Sequence, residues 1–198
     1  KQNDEAIESF KKAIEIKPDY AEAFHAIGIS YINQGKPEEA IKPLQEFLKL
    51  APDNPVAYFK LGFAYSALKE YDTAEKFYRK AIEINSSFAE AYVSLGINYA
   101  NLNQHDNAID AYKKAIKLKP DYAEAHYMLG INYAVLRQYE KAIESFKEAV
   151  KTRPDYANAY LVLGRVYGDI SQYENALESL KKAVTLKPDF DKAFYDLG

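Results

Sequence analysis

Side chains able to perform acid–base, nucleophilic or metal chemistry are few and widely separated in this sequence. It contains three histidines, His25, His105 and His126, and no cysteine. Histidines that share a metal on a helix typically stand four residues apart, and these three do not. No glycine-rich stretch matches a phosphate-binding loop. The pattern therefore predicts no catalytic, cofactor or metal site, and we expect a protein that is not an enzyme.

The charged residues alternate in sign rather than forming a cluster. Glu75 is followed four residues later by Arg79, and Asp110 by Lys114. Such pairs stabilise a helix by about 0.2–0.5 kcal/mol. The net charge is −3 and no basic block stands out, so we expect no nucleic-acid partner and no polybasic membrane anchor.

Composition favours a folded domain outside a membrane. Hydrophobic residues make up 48% of the chain and charged residues 28%, which is unlike a disordered segment. No apolar run approaches the roughly 20 residues that span a bilayer, so we expect no direct membrane insertion. The absence of cysteine fits the cytosol, and our expectation is a cytoplasmic protein. The chain begins inside an element, "KQNDEAIESF", which is compatible with a fragment of a longer protein.

The strongest pattern is an internal repeat of 34 residues. Its glycines stand 34 residues apart, at Gly28, Gly62, Gly96, Gly130, Gly164 and Gly198. A leucine or isoleucine precedes each glycine, and a tyrosine stands three residues after each of the first five. Alanines keep the same step, at Ala40, Ala74, Ala108, Ala142 and Ala176. Apolar residues recur at helical spacing between these positions, so neighbouring helices must bury one another's apolar stripes.

These positions resemble the signature of the tetratricopeptide repeat. The fold that this resemblance implies is all-α: a right-handed α-solenoid superhelix of helix-turn-helix 34-residue repeats. We expect a single array over residues 1–198. Its complete repeats would be 21–54, 55–88, 89–122, 123–156 and 157–190, with 1–20 the second helix of a partial repeat and 191–198 the start of a further one.

The octapeptide "KPDYAEAH", residues 119–126, recurs with small changes and is interpreted as a joint between helices. Pro120 ends one helix because it lacks an N–H group. Asp121 is expected to cap the next helix, and Glu124 to complete a capping box. The same arrangement is expected for Asp19 with Glu22 and for Ser87 with Glu90. His126, which replaces an aromatic residue at a core position, is interpreted as a packing histidine.

The repeat at 21–54 departs from the pattern in its second helix. Pro43 falls inside that helix, and Phe47 occupies a position that is usually alanine. Proline removes a helical hydrogen bond and clashes with the preceding turn. We therefore predict a kink or shift near Glu39 to Pro43, with Phe47 filling the space that it opens.

The resemblance also implies a peptide-binding groove, because first helices line the concave surface in this family. Two residue positions per repeat would face the ligand, the residue after the core aromatic and the residue after the glycine. The first set is His25, Phe59, Val93, Tyr127 and Leu161. The second set is Ile29, Phe63, Ile97, Ile131 and Arg165. Nearly all are apolar, so we predict a hydrophobic band flanked by Glu22, Glu90 and Glu124, with amides from Asn33 and Asn101. The alternative is that neighbouring helices bury these residues.

Two polar grooves of the family do not match. The carboxylate clamp of chaperone-binding members needs lysines and asparagines where this chain has apolar pairs such as Phe59 with Phe63. The sequence is also similar to the repeat region of O-linked N-acetylglucosamine transferase, but its asparagine ladder is missing. The corresponding residues are Ala26, Lys60, Ser94, Met128 and Val162.

Three hypotheses for the function follow. The first is a non-catalytic scaffold that binds a protein or peptide with apolar anchors in the groove. The second is a self-stacking assembly module that associates end to end. The third is the repeat or targeting region of a larger enzyme, such as an O-GlcNAc-transferase-like protein. The sequence identifies neither the partner nor the pathway.

Overall fold

The structure is a computed structural model that describes residues 2–188, and all regular secondary structure within them is helical. Eleven helices occupy this part of the chain: α1 (Gln2–Ile16), α2 (Ala21–Asn33), α3 (Pro37–Leu50), α4 (Pro55–Ala67), α5 (Tyr71–Ile84), α6 (Ala89–Asn101), α7 (His105–Leu118), α8 (Ala123–Val135), α9 (Tyr139–Thr152), α10 (Ala157–Asp169) and α11 (Tyr173–Leu186). First helices of 13 residues alternate with second helices of 14 residues from α2 onward. The all-α fold of helix-turn-helix repeats is thus confirmed.

The chain divides into two compact units, Lys1–Leu102 and Asn103–Gly198. In the first unit α1 to α6 pack in chain order, and in the second α7 to α11 do so. The division falls in the turn after α6, inside the expected repeat 89–122. The single array over 1–198 stays a prediction, and the expected helix start at 191–198 lies outside the described residues.

The repeated glycines allow the two helices of a repeat to approach closely. A Cβ added to Gly62 would lie 2.7 Å from Cδ1 of Tyr78, and one added to Gly130 would lie 2.7 Å from Cε1 of Phe146. The same relation joins Gly28 to Leu44. Because the facing side chain is buried in each case, the pair of a glycine and a large residue fixes how the helices meet.

The turn between the helices of each repeat contains one residue in the left-handed region. This residue recurs every 34 positions: Gly35, Lys69, Asn103, Arg137 and Ser171, with φ of 57–70°. It lets the following amide reach back into the first helix, as when Gln138 N–H donates to the Tyr133 carbonyl at 2.9 Å. Only the first of these turns uses glycine, the residue best suited to this conformation.

The predicted capping boxes are wrong. Helix α8 begins one residue later than expected, so that Tyr122 rather than Asp121 is its N-cap, and the cap makes no side-chain hydrogen bond. The same holds for Tyr20 before α2 and Phe88 before α6. The Tyr122 carbonyl instead accepts from the amide of Ala125 at 2.9 Å. Among α2 to α11, only α4 has a side-chain cap, from Asn54 to the Ala57 amide at 3.0 Å.

The basic residue of the joint has a role that the sequence did not suggest. Lys119 lies over the ring of Tyr122, with its Nζ 4.9 Å from the ring centroid. Arg153 lies over Tyr156 at 4.6 Å in the next joint. His126 also contributes, because its Nε2 lies 2.9 Å from the carbonyl oxygen of Pro120. Cation–π contacts and this hydrogen bond hold the joint in place of the expected caps.

The proline inside α3 does not interrupt the helix, which continues through Glu39 and Pro43 from Pro37 to Leu50. Phe47 is buried, and its ring lies 4.8 Å from that of His25 between centroids. The bulky side chain therefore contacts the first helix of its own repeat.

Two buried asparagines link successive repeats. Asn98 Nδ2 donates to the carbonyl oxygen of Tyr71 at 2.9 Å, and Asn132 Nδ2 donates to that of His105 at 3.0 Å. Each bond runs from a first helix to the start of the preceding second helix, 27 residues earlier. Since buried polar groups are costly unless paired, these bonds fix the register between repeats.

Candidate peptide-binding surface

The predicted groove residues of the first unit occupy equivalent positions on three neighbouring helices. Helix α4 contacts both α2 and α6. His25, Phe59 and Val93 are each the fifth residue of their helix, and Ile29, Phe63 and Ile97 are each the ninth. Residues four apart share a helix face, so we name this surface the first-helix face of the unit. In the second unit the first-helix face contains Tyr127 and Ile131 of α8, and Leu161 and Arg165 of α10.

The fifth residue of each first helix packs inward. The ring of Phe59 lies 5.9 Å from that of Tyr78 and 5.0 Å from that of Phe88. In the second unit, Tyr127 lies 5.9 Å from Phe146 and 5.0 Å from Tyr156. These aromatic residues form a partly exposed floor between one repeat and the next.

Two of the predicted groove residues belong to the core instead. Val93 is 3% exposed and Leu161 is 4% exposed. Leu161 packs in a cluster with Leu180 and Ala183. A short aliphatic side chain at this position fits completely between the helices, whereas a ring extends to the surface. The expectation that Val93 and Leu161 line an open groove is therefore revised.

The ninth residue of each first helix is more accessible. Phe63 is 46% exposed, and Arg165 of α10 is also exposed. Ile29, Ile97 and Ile131 are half-buried, and Asn101 is exposed at the end of α6. Phe63 thus stands out as a large apolar side chain that the fold leaves in contact with solvent.

Sequence reasoning missed two exposed apolar residues on the same faces. Val135, four residues after Ile131, is 60% exposed, and with Tyr127 it completes a stripe along α8. Val56 at the start of α4 is 38% exposed and stands where α2, α6 and α8 have glutamate. The sequence could have identified both residues, because Val56 and Val135 stand at positions where most other repeats have a polar residue.

The charges beside the first-helix face of the first unit affect His25. Burial lowers the pKa of His25, and the nearby Lys60 ammonium lowers this pKa further. The His25 Nε2 atom is buried and has no hydrogen-bond partner within the described part of the chain. Lys60 Nζ also lies 5.5 Å from the centroid of the Phe59 ring. The neutral imidazole therefore behaves as part of the apolar floor.

The second unit has a half-buried pair of tyrosines, Tyr127 and Tyr156, in the corresponding place. Burial raises the pKa of Tyr156 to about 12, and the neighbouring Tyr127 and Glu124 add to this effect. Burial also raises the pKa of Tyr127. Both hydroxyl groups stay protonated near neutral pH, so this floor is neutral as well.

Each of the three histidines has its own contacts within its unit. His105 Nδ1 lies 2.7 Å from Oδ1 of Asn132, and His126 contacts the Pro120 carbonyl. In the first unit the His25 ring lies tilted against that of Phe47. Within residues 2–188 no group of three His, Asp or Glu side chains is arranged to hold a metal ion. Among the described helices, none is both long and apolar enough to cross a membrane.

Comparison with known proteins assigns the family. The model of the tetratricopeptide repeat protein 21 C-terminal ARM domain matches residues 1–159, and a tetratricopeptide-repeat model matches residues 164–198. The chain belongs to the tetratricopeptide-repeat family. No curated protein matches it significantly.

Solved structures of tetratricopeptide-repeat proteins resemble the chain over most of its length. MamA is 30% identical, with a TM-score of 0.74 over 82% of this chain and 95% of MamA. YrrB, described as a tetratricopeptide-repeat protein with an unusual peptide-binding site, is 25% identical, with a TM-score of 0.71 over 96% and 97% of the two chains. A chain of the APC/C hetero-tetramer Cut9–Hcn1, 20% identical, shows the fold alone, with a TM-score of 0.81 over 99% of this chain and 39% of its own. Tetratricopeptide-repeat proteins are typically non-catalytic interaction scaffolds, which supports a protein-binding role.

Proposed function

We propose that this tetratricopeptide-repeat chain is a non-catalytic scaffold whose first-helix faces bind an apolar segment of a partner protein. The observation that carries the proposal is the exposure of Phe63 and Val135 beside half-buried apolar neighbours. Large apolar side chains that the core does not need are a common mark of an interaction surface. The peptide-binding site named for YrrB, which is similar over nearly its whole length, supports the same reading.

The residues of the two first-helix faces indicate which kind of partner segment they would bind. The floor under Phe63 is apolar and aromatic, and the exposed Glu22 and Glu90 stand near the starts of α2 and α6. Apolar anchors would pack against the floor, while a basic residue beside them would suit these carboxylates. The partner is therefore a protein segment with aliphatic or aromatic anchors rather than an acidic tail.

The test uses peptides selected from a random 12-residue display library against the full chain. The affinity of one selected synthetic peptide is then measured by calorimetry for Phe63→Asp and Val135→Asp. The matched controls are Leu50→Asp and Leu118→Asp, which change exposed apolar residues at the ends of second helices. We expect at least about a tenfold loss for one groove variant, since burying an unpaired carboxylate opposes binding. Equal affinity for all four variants would refute the proposal.

A second candidate function is self-association. Tyr173 is 70% exposed and Leu177 44% exposed on α11, four residues apart and therefore on one face. An apolar face of this kind suits contact with another copy. Light scattering over a concentration series would show a mass that rises in the wild type and not in Leu177→Asp; a monomer at every concentration would exclude it.

A further inference from the structure

An apolar cavity lies between α1, α2 and α3 in the first unit, away from the first-helix face. It holds about 470 Å³ and is lined by Ile14, Phe24, Ile27, Tyr31 and Pro43, with charged side chains around the opening. Its α2 residues are the fourth, seventh and eleventh of that helix. At 3.6 residues per turn they point opposite to the fifth and ninth residues. The cavity is therefore separate from the surface proposed above to bind a peptide.

The corresponding place in the next repeat is filled by the chain's own side chain. Pro43 is the seventh residue of α3, and Phe77 is the seventh residue of α5. The Phe77 ring stacks on Tyr65 at 5.2 Å between centroids with an interplanar angle of 4°, and it lies 6.4 Å from the ring of Tyr58. Phe77 thus shows what this position accepts when it is occupied: one aromatic ring.

The first repeat has the same aromatic partners without the ring between them. Tyr31 stands at the helix position of Tyr65, and Phe24 stands at the position of Tyr58. Pro43 is too short to reach them as Phe77 does, and the cavity lies in its place. Two aromatic side chains thus line a space large enough to admit a third ring.

Two of the charged residues around the opening, Lys11 and Glu46, form ion pairs at the surface. Lys11 Nζ lies 2.9 Å from Oε1 of Glu8, and Lys49 Nζ lies 2.7 Å from Oε1 of Glu46. These pairs leave the floor apolar and keep both signs of charge near the opening. A peptide that inserts one side chain could keep its backbone amides solvated there.

One equivalent cavity in the second unit, between α7, α8 and α9, differs in its lining. His126 and Ser145 stand at the positions of Phe24 and Pro43, and Lys141 and Glu144 lie beside them. Ser145 Oγ donates to the Lys141 carbonyl at 2.8 Å. Polar atoms thus replace the apolar floor there. The cavity between α10 and α11 instead keeps Tyr160 and Tyr167 at the positions of Phe24 and Tyr31, with Ser179 at that of Pro43.

We propose that this cavity is a binding slot for a single aromatic side chain of a partner protein, which stacks on Tyr31 as Phe77 stacks on Tyr65. An aromatic ring gains from offset or parallel contact with Tyr31 and Phe24 beyond the burial of its area. An aliphatic side chain would be stabilised only by the burial of its apolar surface, without the additional ring–ring contact.

The test measures binding of N-acetyl-phenylalanine amide to the full chain by NMR, following the ring signals of Tyr31 and Phe24. Pro43→Ala removes the proline and leaves the slot open, so it should bind the probe like the wild type. Pro43→Phe supplies the ring internally, as α5 does, and should weaken binding by about tenfold or more. Ser145→Phe, at the same helix position in the second unit, should leave the Tyr31 response unchanged.

The outcomes separate the proposal from its competitors. If Pro43→Phe folds poorly, Tyr31→Leu replaces it; binding is then followed on the Phe24 ring signals alone, with an expected loss of about threefold to tenfold. Equal binding of N-acetyl-cyclohexylalanine amide would overturn the preference for an aromatic ring. Tyr31 signals that move with protein concentration in the absence of probe would assign the slot to a second copy instead. An unchanged response in both Pro43→Phe and Tyr31→Leu would overturn the slot without affecting the first-helix proposal.

Discussion

Asn132 and His105 form a two-point contact between α8 and the start of α7. Asn132 Nδ2 donates to the His105 carbonyl at 3.0 Å, while Asn132 Oδ1 lies 2.7 Å from His105 Nδ1. Since Oδ1 can only accept, His105 Nδ1 must carry the proton. In the first unit Asn98 keeps only the bond to the Tyr71 carbonyl, and its Oδ1 is unpaired within the described residues.

Asn132→Ala should therefore destabilise the protein by about 1–3 kcal/mol, because it removes two hydrogen bonds of the half-buried His105. Urea unfolding followed by circular dichroism measures the change. Asn158→Ala, an exposed asparagine on α10, is the control and should change stability by less than about 0.5 kcal/mol. Equal unfolding midpoints for the two variants would show that the contact contributes nothing.

Glycine-to-alanine changes should have opposite effects at two positions. In Gly130→Ala the new Cβ meets the buried Phe146 ring at 2.7 Å, which should cost about 1–3 kcal/mol. In Gly168→Ala the Cβ meets nothing within 4 Å among the described residues. Alanine is also the better helix former there, so we expect a gain of about 0.5–1 kcal/mol. Thermal unfolding of both variants tests this, and a loss of similar size in each would contradict the packing role of Gly130.

The left-handed turn residues allow a stabilising change. Arg137 has φ of 57°, which costs a residue with a Cβ about 1–2 kcal/mol. Arg137→Gly should raise the melting temperature, and Gly35→Arg, where φ is 70°, should lower it. A lower melting temperature in Arg137→Gly would mean that the arginine side chain contributes more than the turn conformation costs.

His25 should make stability dependent on pH. Its pKa is lowered in the folded state by burial and then by Lys60. Below the ordinary histidine pKa of about 6.5, the unfolded chain takes up a proton that the folded chain resists. The His25 contribution is therefore present above this pH and is lost as the pH falls towards the folded-state pKa. Urea unfolding at pH 7 and pH 5 should show a smaller loss in His25→Phe; equal losses would contradict the burial of the imidazole.

The sequence predicted the fold and the helix faces better than it predicted exposure. The 34-residue step of the glycines contains the information for helix pairing within each unit, because a large residue stands 16 positions after each of four of them and faces it: Gly28, Gly62, Gly130 and Gly164. The capping boxes failed because Asp121 lies one residue before the N-cap Tyr122. Exposure at the fifth position depends on what lies opposite: Val93 is covered, whereas Phe59 reaches the surface between Tyr78 and Phe88. The sequence of one repeat alone does not show which residue of another helix will lie opposite its fifth position.

The central claim is that first helices, rather than second helices, contact the partner. Methyl NMR of isoleucines in the full chain, titrated with a library-selected apolar peptide, tests it most directly. The proposal predicts that the methyl signals of Ile29, Ile97 or Ile131 move and saturate with the peptide, while those of Ile41, Ile82 and Ile143 on second helices stay in place. Movement confined to the second-helix isoleucines would contradict it.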